Sequence, residues 1–458
     1  MKFYLIGIGG AGMSVVAELL MAQGHQVSGS DRSSSDNIER LRSLGARVFI
    51  GHNGANVNPE ATIVVSSAIK ADNPELMIAR KREQSVIHRS EALAFASHDK
   101  DFIAVAGAHG KTSTTGMLAV AFSELGLDPS RAIGGSLAGG LSGAYYGSGS
   151  ILVAEADESD QSFLNYAPRI ALVVNVEADH LDHYGSFENF ERAFVDFSHR
   201  IVPGGLLICC SDNEGSVKLA KQASSEGIRV WTYGRTACDV GEKHALLVDK
   251  DEHIDAAPNE NCGHIIFEEV EHKICMSVPG QHMLTNATGA WLVGVELGVS
   301  GEDMARALHS FRGTGRRFEL RGEANDIRVI DDYAHHPTEV EATLSTAKSL
   351  FEGNVRVLFQ PHLYSRTKNF AQRFAKALSI ADDVIVTSVY AAREVPSDGC
   401  EGDSITAFLP GATYIANKEE AAREIAHRAQ SGDVVLTVGA GDVTELGTVI
   451  LQELETRR

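Results

Sequence analysis

The sequence predicts an α/β protein of three domains, each with a mainly parallel sheet: Rossmann-like at the N-terminus, of the phosphate-loop type in the centre, and Rossmann-like again at the C-terminus. Three observations carry this. Apolar runs of strand length alternate with helical stretches along the chain, which is the pattern of βα units. The chain has 458 residues, too many for one core and enough for about three domains of ~150 residues. Polar and glycine-rich clusters sit just past the strand-like runs, where open parallel sheets bind their ligands.

In residues 1–97 a strand over 3–8 meets Gly7-x-Gly9-x-x-Gly12, and a helix follows over 14–23. A second strand over 26–29 leads to Asp31, nineteen residues after Gly12, where an acid would meet an adenosine ribose. This is the dinucleotide fingerprint. Its physics is only the close approach of backbone to a diphosphate, so NAD, another diphosphate and an unliganded tight turn are all open readings. The extra Gly10 and a second loop over 66–69, after the strand 61–65, suit any diphosphate.

Residues 98–314 begin with a strand over 102–106 and then Gly107-Ala108-His109-Gly110-Lys111-Thr112-Ser113-Thr114 opening a helix. A glycine turn between strand and helix aims backbone N–H groups at phosphates. Lys111 would reach the β- and γ-phosphates, and the Thr112 hydroxyl would sit on their Mg²⁺. Val105 stands where the longer pattern G-x-x-x-x-G-K-[ST] has its first glycine, so the loop is of a shorter kind. The strand 150–154 runs into Glu155-Ala156-Asp157-Glu158-Ser159-Asp160, and the strand 170–176 into Glu177-Ala178-Asp179-His180-Leu181-Asp182-His183. These read as two sides of one Mg²⁺ site, with Glu155 and His180 as ligands; the alternative is that they cap the following helices. Residues 218–280 suggest short strands on the sheet's flank, with a turn over 259–263. Gly280 to Asn286 open a helix over 287–297. His282 and Asn286, four residues apart, would share a helical face and could contact a base.

Residues 315–458 start with Gly315-Arg316-Arg317-Phe318, a hinge whose arginine could reach a γ-phosphate or form a surface ion pair. A strand over 327–330 precedes Asp331-Asp332-Tyr333-Ala334-His335-His336-Pro337, with Thr338 as the expected cap of the next helix. Strand 355–360 precedes His362-Leu363-Tyr364-Ser365-Arg366, and strands 384–388 and 434–438 complete a third sheet. Adjacent His335 and His336 point different ways and cannot both ligate one ion.

Together these motifs, in this order over nearly the whole chain, resemble the Mur ligases, the ATP-dependent amide-forming enzymes of peptidoglycan precursor synthesis. The resemblance implies domains at 1–97, 98–314 and 315–458 for a UDP-sugar, ATP and an amino acid. It implies that the lactoyl carboxylate of UDP-N-acetylmuramate is phosphorylated by ATP and then attacked by the amine of L-alanine. Carried over by residue, the UDP-sugar lies over Gly9, Gly10, Ala11, Gly12, Asp31 and Ser67. ATP is met by Gly107, Ala108, His109, Gly110, Lys111, Thr112, Ser113, His282, Asn286, Arg317, Asp331 and Asp332. Mg²⁺ is held by Thr112, Glu155 and His180. Tyr333, His335 and Arg366 hold alanine, and Lys111, Arg317, His335 and Arg366 form the catalytic set. Three positions depart from the family pattern. Phe194 stands where some relatives carry a carbamylated lysine, so no carbamate is expected. Leu363 replaces a basic residue and Met283 an asparagine, which shifts more of the work to Arg366 and Asn286. A recycling ligase that attaches a whole peptide would need a wider third-domain crevice. A nicotinamide oxidoreductase would leave Lys111 and the acidic clusters unexplained.

The net charge of −20 argues against nucleic acid or anionic membrane surfaces as partners. Six cysteines without a C-x-x-C pair read as free thiols of a reducing compartment. Lys2 and the apolar residues after it imitate a secretory signal, but Gly7 ends the run at strand length, and no stretch reaches the ~20 apolar residues of a membrane span. A cytoplasmic monomer or homodimer is expected.

Overall fold

The computed structural model describes residues 1–138, 141–179, 181–249, 261–392, 394 and 401–457, with the backbone alone for 181 and 182. The first sheet contains β1 (Lys2–Ile6), β2 (Gln26–Asp31), β3 (Arg47–Ile50), β4 (Thr62–Val65) and β5 (Val86–His88), in the order β3-β2-β1-β4-β5. All its pairings are parallel. The chain leaves β1 to one side for β2 and later returns to its other side with β4. A crevice opens at such a reversal, and the glycine run stands at the end of β1.

The second sheet has β6 (Asp101–Ala106), β7 (Ser130–Ala132), β8 (Ala144–Tyr145), β9 (Ile151–Glu155), β10 (Ile170–Val173), β11 (Leu206–Cys210), β12 (Val230–Gly234), β13 (Lys243–Val248), β14 (Asn261–Phe267) and β15 (Val270–Met276). Its order is β15-β14-β13-β12-β11-β10-β6-β9-β7-β8. The central strands are buried along nearly their whole length, as a sheet covered on both faces requires, whereas β13 alternates. Because β6 lies between β9 and β10, the turns after those two strands flank the loop after β6.

The third sheet has β16 (Glu319–Ala324), β17 (Ile327–Asp332), β18 (Val355–Phe359), β19 (Asp383–Val386), β20 (Thr413–Tyr414) and β21 (Val434–Val438), in the order β16-β17-β21-β18-β19-β20. Only the edge strand β16 runs antiparallel. The chain forms two compact units: Met1–Val278 with Met283–Arg312, which carries the first two sheets, and Pro279–His282 with Gly313–Arg458, which carries the third. No helix among the described residues is long and apolar enough to cross a membrane.

Several local expectations are corrected. The first helix, Ala11–Ala22, starts inside the glycine run with Gly10 as its cap, so its free N–H groups belong to the loop itself. Residues 261–263 lie in β14 and are not a turn; 259 and 260 lie outside the described residues. The later helix is Gln281–Glu296, six residues longer at its start than expected. His336, not Thr338, caps Pro337–Leu350: its ring accepts the Thr338 N–H, Pro337 needs no partner at the first helical position, and Glu339 closes the capping box. Two of the cysteines are not free. The register of β14 and β15 sets Cys262 opposite Cys275, and the two are joined in a disulfide with Cα atoms 4.1 Å apart. Cys209, Cys210 and Cys238 are free, and Cys400 lies outside the described residues. His264 pairs with Glu271 and His272 packs on Trp291.

Candidate active site

A cavity of about 620 Å³ in the first unit is lined from one side by Gly9, Gly10, Ala11 and Gly12 and from the other by Lys111, Glu155 and Asp157. Asp31 lines it too, but its carboxylate is already engaged: Oδ2 accepts the Gly9 N–H at 2.9 Å and Oδ1 the Arg32 N–H at 2.7 Å. Asp31 thus shapes the glycine loop. Ser66, Ala68 and Ile69 reach the cavity from the second loop, while the Ser67 hydroxyl donates to Asp160.

The phosphate loop is held by a residue that sequence reading missed. Asn175, just past β10, accepts the His109 N–H at 3.0 Å and donates to the His109 carbonyl at 3.0 Å, as a neighbouring strand would. Gly107, at φ 136, passes so close that a Cβ would stand 3.0 Å from the Asn175 backbone, so a larger residue there would be strained. Gly110 is left-handed at φ 82 and caps the helix Lys111–Glu124, with Asn286 beside it. Ala108 and Ser113 complete this turn, and Ser113 is already buried in the helix.

Lys111 is folded back onto the protein. Its Nζ stands 2.9 and 2.8 Å from the two Glu158 oxygens and donates to the Gly107 carbonyl at 2.6 Å. Burial works to lower its pKa, but Glu158, Asp157 and Glu155 outweigh it and the ammonium is held above its usual range. Thr112 donates to Glu155 Oε2 at 3.2 Å, and the Gly134 N–H to Glu155 Oε1 at 2.9 Å. Burial raises the Glu155 pKa against these bonds and Lys111. For Asp157 burial also pushes upward, yet Lys111 and Arg89 prevail and hold it down at about 2. His180 lies outside the described residues. Phe194 is a core residue packed on Phe163 and Phe190.

In the second unit the paired arginines divide. Arg316, left-handed at φ 60, spends its guanidinium on Asp331 Oδ2 at 3.1 Å and the Gly439 carbonyl at 2.7 Å. Asp331 is fully buried and also accepts from Thr437 and Thr444, so its carboxylate locks the sheet end inside the domain. Asp332 accepts the Phe318 and Ala334 N–H groups and the Thr343 hydroxyl, and burial lifts its pKa to about 6 against the pull of Arg317. Asp331 and Asp332, which the family resemblance sets near ATP, are the last two residues of β17, which the sequence suggested would end at Ile330. Arg317 pairs with Glu339 at 3.2 Å and lies over the Tyr333 ring. His282 is close to Arg317 and Glu339, and burial first, Arg317 second, holds it down at about 4.

Tyr333, His335 and Arg366 are drawn together by His362, another residue sequence reading left aside. The His335 ring is 5.2 Å from that of Tyr333 and 5.7 Å from that of His362, and Arg366 NH1 is 3.1 Å from His362 Nδ1. Its signal was its place in the same strand-to-helix turn as Arg366. Leu363 in that turn has φ 68 and ψ 133, a conformation that costs a non-glycine residue of order 1–3 kcal/mol.

Fold and site together define a Rossmann-like domain followed in the chain by a phosphate-loop domain and then by a second Rossmann-like domain. Residues 2–100 match the family model described as Mur ligase family, catalytic domain; residues 105–294 match the Mur ligase middle domain, and 316–441 the Mur ligase glutamate ligase domain. The UDP-N-acetylmuramate–L-alanine ligase of Renibacterium salmoninarum is 48% identical, over 99% of this chain and 96% of its own. That of Saccharopolyspora erythraea is 46% identical, over 99% and 93%. The crystal structure of UDP-N-acetylmuramate–alanine ligase from Thermotoga maritima superposes with a TM-score of 0.80 at 28% identity, covering all of both chains. The chain belongs to the Mur ligase family.

Proposed function

We propose that this chain is an ATP-dependent ligase that joins L-alanine to the lactoyl carboxylate of UDP-N-acetylmuramate, releasing ADP and phosphate, in cytoplasmic synthesis of peptidoglycan precursors. The observation that carries the reading is that the glycine loop after β1 and Lys111, which follows the phosphate loop after β6, line one cavity. A sugar nucleotide on the first and ATP on the second would bring carboxylate and γ-phosphate together. Full-length identity to alanine ligases supports the same choice of substrates. Residues 1–97, 98–314 and 315–458 serve in this reading as the sugar-nucleotide, ATP and amino-acid domains.

A lactoyl carboxylate oxygen attacks the γ-phosphorus and ADP leaves. The alanine nitrogen then attacks the acyl carbon, and the tetrahedral intermediate expels phosphate while the amine loses a proton. Lys111 exchanges Glu158 for phosphate oxygens, and the loop N–H groups hold the rest of the charge. Arg317 neutralises transferring phosphate, and Asn286 and His282 face the adenine. Thr112 and Glu155 fit a Mg²⁺ ion, since their oxygens already converge at 3.2 Å, and His180 would join them. Bound there, the ion supplies charge neutralisation at the phosphates. Arg366 holds the alanine carboxylate beside Tyr333. His335, whose Nδ1 stands 3.0 Å from the Tyr333 carbonyl and 3.3 Å from Glu339, is held beside Tyr333 to take up the proton that the amine loses.

The test is phosphate release from ATP and Mg²⁺ with UDP-N-acetylmuramate, comparing L-alanine, L-Ala-γ-D-Glu-meso-diaminopimelate and no amine. Release dependent on free alanine is expected. Release with the tripeptide alone would assign the chain to peptide recycling, and none with either amine would refute ligase activity.

A further inference from the structure

Arg89 opens the helix Arg89–Ala96 of the N-terminal domain and carries no motif, yet its side chain lines the same cavity as the glycine loop and Lys111. Its NH2 donates to Asp157 Oδ2 at 2.6 Å. Its NH1 lies so near the glycine loop that a Cβ on Gly12 would stand 3.0 Å from it. Gly12 is the second residue of the helix Ala11–Ala22, whose first N–H groups have no intrahelical partner. Nε and NH1 have no hydrogen-bond partner among the described residues, although the side chain is only 20% exposed. A guanidinium held by a carboxylate through NH2, with NH1 beside a helix N-terminus, is built to receive an anion.

We propose that Arg89 binds the diphosphate of the sugar nucleotide and that Asp157 is its positioning residue. The inference rests on the functional reading above. The Asp157 carboxylate fixes the plane of the guanidinium, and NH1 adds its N–H donors to the helix N–H groups that the glycine loop presents. Gly12 then serves twice, leaving room for the diphosphate and for the guanidinium of Arg89. The link also makes the diphosphate a reporter between domains of the first unit, because Arg89 comes from one and Asp157 from the other.

The experiment is calorimetric binding of UDP, UDP-N-acetylmuramate and ADP to full-length wild type, Arg89→Ala and Arg89→Lys. Loss of a charged, directed pair predicts that UDP and UDP-N-acetylmuramate bind Arg89→Ala about 10- to 100-fold more weakly, by the same factor, with ADP changed less than about 3-fold. Arg89→Lys, which keeps the charge but not the fork, is expected to fall between and guards against a misfolded alanine variant. A loss confined to UDP-N-acetylmuramate would overturn the proposal and place Arg89 on the lactoyl carboxylate. Equal losses for ADP, or none for UDP in either variant, would overturn it in favour of a structural role. Wild type that binds neither uridine ligand would overturn the functional reading itself.

Discussion

Glu158→Gln tests the buried ion pair at the centre of the site, because it should move stability and nucleotide affinity in opposite directions. At 2.8 Å and an effective dielectric near 20, the Coulomb attraction between Lys111 and Glu158 is about 6 kcal/mol. Removing both groups from water offsets much of that, at several kcal/mol per ion. Glutamine keeps one acceptor of nearly the same shape, and Lys111 retains the Gly107 carbonyl and the charges of Asp157 and Glu155. The net loss of folding stability should therefore be about 2 kcal/mol. Lys111 must abandon Glu158 to reach a phosphate, so the same change removes a competitor and should tighten ADP binding several-fold. Urea unfolding followed by tryptophan fluorescence measures the first effect and calorimetry the second. A variant as stable as wild type, or one that binds ADP more weakly, would refute the picture of Glu158 as a resting partner that competes with phosphate.

Replacing Asn175 with alanine removes both bonds to the His109 backbone; phosphate release should fall at least about 10-fold at subsaturating ATP, with UDP affinity unchanged in calorimetry. His282 is depressed to about 4 against an unfolded value near 6.5. Its contribution to stability is therefore complete above pH 6.5 and is lost as pH falls toward 4, because the unfolded chain then binds the proton first. Urea midpoints of wild type should drop over that window more than those of His282→Gln, and parallel pH profiles would refute the assignment. Cys262 and Cys275 are joined, so a thiol titration of unfolded protein should show both of them unreactive until a reductant is added, and labelling of either without reductant would refute the bridge.

The sequence was most legible where a function is written in consecutive residues. The run 107–114 announces its loop because strand, glycines, lysine and helix are contiguous, and the acids after β9 and β10 stand out because each follows an uninterrupted apolar strand. What escaped depends on contacts distant in sequence. Asn175 earns its role only because β10 lies beside β6, 66 residues away. Arg89 meets Asp157 across 68 residues. The bonds of Asp331 were equally hidden: β17 runs two residues past its apolar stretch, and the buried carboxylate there accepts from Thr437 and Thr444, more than 100 residues on. The disulfide is a matter of register: a separation of 13 residues says nothing until β14 and β15 are paired.

The amide of Asn175 has a consequence for motion. Its two bonds prolong the ladder between β6 and β10 beyond the last paired residues, Val173 and Ala106, so that a side chain supplies what a third peptide unit would. The His109 N–H thereby shares the opening equilibrium of the central strands instead of that of a surface turn. In hydrogen exchange this amide should be among the slow ones even without nucleotide, and the entropy of ordering the loop is then met during folding, before any phosphate arrives.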